Sequence, residues 1–199
     1  MKKILLQLTI ACFMVPLFCS CNLFGLDLQK DFEYEYSPVE LTMDMSAYAF
    51  IESRKNMDMS LLFDAINLAG YQQEYETEGR TFIVLNDVAF TSYLKDQHYS
   101  GLQAMKIEDI KTLLNSYIIK GRYHSLDLTT TPVKVETMNP NTTMYLSLRA
   151  QNNDAQNKFE VRINEVVNSG KIVSVVTSNL QPTNGIMHVV DAYPEYKLK

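Results

Sequence analysis

The chain has 199 residues, a formal net charge of −5, 46% hydrophobic and 21% charged residues. That suits one domain with a sizeable core plus a short appendage, and it is too apolar for global disorder. The acidic balance excludes nucleic acid as a partner, because no basic surplus exists to displace phosphate counterions.

Residues 1–20 read as an export signal. Lys2 and Lys3 form a basic start, and Ile4 to Phe18 is apolar yet too short to span as an anchor. The run closes on Phe18-Cys19-Ser20-Cys21, which resembles a bacterial lipoprotein signal with cleavage after Ser20 and lipidation of Cys21. Cys12 and Cys19 would leave with the signal, so the mature chain could form no intramolecular disulfide. Membrane contact is then expected through the N-terminal lipid, and a multiply acylated cysteine would make it lasting where one acyl chain would not. Asn22 after Cys21 points, by analogy with other bacteria, to the outer membrane, on its cell-surface or periplasmic face. Residues 21–42 read as a lipid-anchored tether: Asn22 to Leu41 has no clean period, and Pro38 disfavours helix at Ser37.

The domain is expected over 43–198. Ser46 opens a helical stretch, Ala47 to Lys55, and Ser60 is placed to cap a second, with Leu62, Ile66 and Ala69 on one face and Gly70 at its end. Tyr71 to Arg80 is polar and reads as a loop. Thr81 to Leu85 is a β-like run, and Asn86 caps a short helix carrying Phe90, Tyr93 and Leu94. Ile107 to Lys120 is the longest amphipathic helix, with Ile107, Ile110, Leu113, Leu114, Tyr117 and Ile118 on its apolar face and Gly121 closing it. The remainder alternates as strands do: Val133–Thr137, Met144–Leu148, Phe159–Ile163, Lys171–Ser178 and Ile186–Asp191, with Asn139-Pro140-Asn141-Thr142 and Asn152-Asn153-Asp154 as turns. The fold class is α+β, helices mostly in the first half, antiparallel strands in the second.

Two segments carry a family likeness. Thr81-Phe82-Ile83-Val84-Leu85-Asn86-Asp87-Val88-Ala89-Phe90 resembles the first signature of a fasciclin domain, keeping Thr81, Asp87, Ala89 and Phe90. Ser178 to Asp191 resembles the second, through Asn184-Gly185, His188 and Asp191. Between them, Leu113 to Gly121 is similar to the helix that usually ends in a Tyr-His pair. That pair falls on Ser116 and Tyr117, so adhesion roles proposed for it in the family are not carried to Tyr123 or His124. The resemblance spans about 43–198. It implies helices packed against an antiparallel β wedge or sandwich, and adhesion or interaction in place of enzymatic activity. The anchored single-domain arrangement resembles lipoproteins of Bacteroidetes-type bacteria.

Gly185 within Asn-Gly suggests a turn that tolerates positive φ. The strand after it is apolar on both faces and should be covered on both, near Thr81–Leu85.

The residues offer little for catalysis or metals. His98, His124 and His188 are far apart in sequence, and Glu74, Glu76 and Glu78 lack the Gly and terminal Glu of a calcium loop. No serine lies in G-x-S-x-G or S-x-x-K, and there is no glycine-rich phosphate cradle. No catalytic residue, metal or cofactor is assigned, and His188 reads as a core histidine bonded to backbone. Twelve tyrosines are the natural binding groups, since aromatic platforms serve protein hot spots and sugar stacking alike. Tyr71, Tyr75, Tyr99, Tyr123 and Tyr145 are the candidates for a binding surface, whereas Tyr93 and Tyr117 are expected in the core. An envelope or host protein is the expected partner. A glycan, bound as an accessory to nutrient uptake, is the alternative.

Overall fold

The computed structural model describes residues 42–150 and 159–195. The signal, Cys21, the tether as far as Leu41 and the Asn152-Asn153-Asp154 turn lie outside the described residues.

Helix α1, Ala47–Ser53, starts where Ser46 Oγ accepts a bond from the Ala49 N–H at 3.1 Å. Helix α2, Ser60–Ala69, buries Leu62, Ala65, Ile66 and Ala69 and ends at Gly70, whose φ of 67° only glycine adopts without strain. Ser60 is not its N-cap, as the sequence suggested, but its first helical residue. Met59 occupies the cap position without a side-chain acceptor, and the cap is supplied from elsewhere in the chain. The expected loop at Tyr71–Arg80 contains a short helix, α3, Gln72–Glu76, which buries Tyr75 against Phe82 with stacked rings 5.3 Å apart. One docked aromatic ring thus overrides a polar local sequence.

Strand β1, Arg80–Leu85, is buried from Thr81 onward. Asn86 Oδ1 then caps α4, Asp87–Asp96, by accepting from the Ala89 N–H at 2.9 Å. Helix α5, Ile107–Tyr117, stops three residues before the expected Lys120 and passes directly into β2, Ile118–Lys120. The β-branched pair Ile118 and Ile119 lies opposite Phe82 and Thr81 in an antiparallel ladder, which replaces the helical bonds it ends. Ile107, placed on the apolar face by its spacing, is 52% exposed in the first turn.

Six more strands follow: β3 Val133–Val135, β4 Met144–Ala150, β5 Phe159–Ile163, β6 Val173–Ser174, β7 Thr177–Leu180 and β8 Gly185–Val190. They complete two four-stranded sheets, β2-β1-β8-β7 and β3-β4-β5-β6. The second sheet is antiparallel throughout. In the first, β8 runs parallel to β1 without a break, from Arg80 opposite Gly185 to Leu85 opposite Val190. The single run expected at Lys171–Ser178 is divided between the sheets. The Val175 N–H bonds to Val161 O and the Val176 N–H to Val189 O, each at 2.9 Å, so consecutive residues tie the two sheets together. All six residues of β8 are buried, as befits a central strand covered on both faces.

Candidate functional site

The signature residues can be followed atom by atom. Asn184, 4% exposed, accepts from the Ala47 N–H at 2.9 Å and donates to the carbonyls of Tyr75 at 2.8 Å and Thr77 at 3.3 Å. It joins the start of α1 to the end of α3. Asp87 supplies the missing cap of α2, accepting from the Leu61 N–H at 2.9 Å and the Ser60 hydroxyl at 2.8 Å. Ala89 and Phe90 are buried in the core. Gly185 does not adopt positive φ, contrary to the turn chemistry expected of it. Its reason is space: a Cβ there would collide with the Arg80 carbonyl and the Phe82 ring on the paired strand. Asp191 is exposed just beyond β8.

His188 is fully buried. Its Nε2 lies 2.9 Å from Tyr123 O, and its Nδ1 accepts the Asn179 N–H at 3.4 Å. The neutral ring with hydrogen on Nε2 satisfies both contacts. Burial lowers its pKa to about 4, against a smaller opposing effect of the Tyr123 carbonyl. Thr81 holds the same segment from β1, donating to Gly121 O at 2.8 Å and accepting the Tyr123 N–H at 2.9 Å. Asn179, at φ 62° in a bulge of β7, completes the anchor through the backbone N–H and hydroxyl of Ser125, at 2.8 and 2.6 Å. Three side chains from three strands therefore pin 121–125 to the first sheet. Arg122 within this pinned segment and Leu126 just after it face solvent.

The predicted tyrosines do not gather into one surface. Tyr75 is 1% exposed and belongs to the core, because its ring is the one that docks α3. Tyr71, Tyr99, Tyr123 and Tyr145 are half-buried on separate elements, Tyr71 accepting from Asn115 Nδ2 at 2.8 Å. Only Tyr99 among the five lines a cavity of about 460 Å³ between α4, α5 and the segment ending at Glu195. Its other rings are Tyr93, Tyr117 and Tyr193, and its charges are Asp109 and Glu195. Tyr117, 2% exposed, lies in the core as its helical spacing implies, and Tyr93 packs half-buried against that core; both also border the cavity, which spacing along one helix does not reveal. Tyr193 carried no signal at all, since only the return of the chain after β8 brings it there. Its hydroxyl donates to Asp96 at 2.7 Å, and its pKa is raised first by burial and then by Asp96 and Glu195. Tyr99 donates to Asp109 at 3.4 Å and Tyr117 to Pro194 O at 2.7 Å.

Among the described residues no cluster of three His, Cys, Asp or Glu is placed to hold a metal, and no helix is long and apolar enough to cross a membrane. Glu74 pairs with Arg80, and Glu76 accepts from the Ser46 hydroxyl at 2.8 Å, so these two acids of α3 serve the fold.

A family model described as the fasciclin domain matches residues 57–193. No curated protein matches. Among solved structures, a FAS1 domain pair from the insect cell adhesion molecule fasciclin I is similar, at 19% identity and a TM-score of 0.45, with 74% of this chain and 44% of that chain covered. The chain thus spans less than half the length of that structure.

Proposed function

The chain belongs to the fasciclin-domain family, and on that premise we propose that it is an envelope-anchored lipoprotein acting as an adhesion or protein–protein interaction module. Domains of this family serve in cell adhesion or protein interaction. The observation that carries the reading is how the signature polar groups are used. Thr81, Asp87, Asn184 and His188 all direct their polar atoms at groups of the chain itself. What remains for the outside is surface shape and charge, which suits recognition. The anchor is Cys21, at the end of the apolar leader.

Crosslinking on intact cells followed by capture of the full chain should recover a specific envelope or host protein. Repeated recovery of none would count against the module. The anchor has its own test: Cys21→Ser should move the chain from the membrane to the soluble fraction, and retention in the membrane would refute lipidation. Protease shaving of intact cells distinguishes display on the surface from the periplasmic face.

A second reading, a glycan-binding accessory protein of a nutrient-uptake system, is favoured by the tyrosine rings around the cavity. Binding on a glycan array that disappears with Tyr99→Ala would support it; an array without signal would remove it.

A further inference from the structure

We infer that the tyrosine-lined cavity between α4, α5 and the segment ending at Glu195 receives a cationic side chain, arginine or lysine, presented by a protein partner; this rests on the interaction-module reading above. The lining carries two carboxylates, Asp109 and Glu195, and among the described residues no Lys, Arg or His. Aromatic faces attract cations through the ring quadrupole, and Arg in particular combines that attraction with bonds to carboxylates. Two of the phenols are tuned in the same direction. Tyr193 and Tyr99 donate to Asp96 and Asp109, which places negative charge against their oxygens and enriches the rings. The molecule already uses this chemistry on the Tyr193 ring, whose centroid lies 4.7 Å from Lys171 Nζ, a residue outside the cavity lining.

The wall is held in place before any ligand arrives. Tyr117 bonds Pro194 O at 2.7 Å, Asn164 Nδ2 bonds Glu195 O at 2.7 Å, and Gly170 allows the Glu195 carbonyl an approach that any Cβ would block. A preorganised wall lowers the ordering cost of binding. A neutral sugar could stack on the same rings, but it would bring no charge of its own to the two carboxylates it desolvates. That charge decides for the cation.

The test uses the full chain in detergent micelles with ¹³C-labelled tyrosine, titrated with N-acetyl-arginine amide and, as an uncharged match, N-acetyl-citrulline amide. Ring signals of Tyr93, Tyr99 and Tyr193 should shift with the arginine probe and not with citrulline. The Asp109→Asn/Glu195→Gln variant should bind about tenfold or more weakly while melting at the wild-type temperature. Equal response to both probes, or unchanged binding in the variant, overturns the proposal; so does a cellobiose probe that shifts the same rings more strongly. If the arginine probe binds only after Lys197→Gln and Lys199→Gln, the cation belongs to the chain itself and the proposal fails. Partner capture on cells separates the two levels. Capture undiminished by Asp109→Asn/Glu195→Gln leaves the module standing and removes the cavity from its mechanism. Arginine binding without any captured partner removes the module and with it the partner assigned to this site.

Discussion

Asn184 and His188 show why single residues mark this chain so strongly. Each sits in the interior with several polar atoms, and each spends them on backbone groups of distant segments. Replacing Asn184 by Ala leaves the Ala47 N–H and the Tyr75 carbonyl without partners, and should cost about 2–4 kcal/mol in urea unfolding. Stability within about 0.5 kcal/mol of wild type would show that water replaces the clamp. His188 has a pH signature. Its folded pKa near 4 lies below the ordinary value of 6.5, so the fold requires the neutral ring. Its contribution is complete above about pH 6.5 and is lost as pH falls toward 4, amounting to about 2 kcal/mol by pH 5. Urea titrations from pH 7.5 to 5 should show that decline in wild type and a flatter profile in His188→Gln. Parallel profiles would mean that the ring does not carry it.

At the scale of elements, the junction between β1 and α4 does more than cap its own helix. Asp87 caps α2 in trans, so Asp87→Ala should cost about 1–2 kcal/mol, whereas Ser60→Ala should cost clearly less; thermal melts of the pair decide the order. Sequence spacing assigned the cap to Ser60 because capping is read locally, and an acceptor from another element leaves no trace beside the helix it serves. The end of α5 escaped for a related reason. Ile118 continues the apolar helical spacing, and only the neighbouring β1 makes a strand the better use of its backbone. The pinned segment after β2 gives a further prediction. Thr81→Val keeps the shape but removes both bonds to Gly121 and Tyr123. Trypsin should then cut after the exposed Arg122 roughly tenfold faster at a temperature where the fold persists. An unchanged rate would show that His188 and Asn179 hold the segment without Thr81.

At the scale of the molecule, the two sheets meet where Val175 and Val176 bond to different strands, and β8 closes the first sheet by parallel pairing with β1. These contacts join the two ends of the domain, and no covalent link assists them. All three cysteines, Cys12, Cys19 and Cys21, precede the described residues. Melting of the domain should therefore be the same with and without dithiothreitol, and a reductant-dependent midpoint would contradict a fold held by packing alone.

The sequence by itself determined the α+β class, the family, the order of nearly all elements and the burial of β8 on both faces. Each is carried by periodicity or by a motif within a short window, where neighbouring residues share one backbone direction. Tertiary structure alone decided that Gly185 is required for a close approach and not for a turn, and that Tyr75 leaves the surface. It alone brought Tyr93, Tyr99, Tyr117 and Tyr193 around one acidic cavity. Those outcomes depend on what lies across from a residue, and the space facing a side chain exists only once strands and helices from distant parts of the chain have packed.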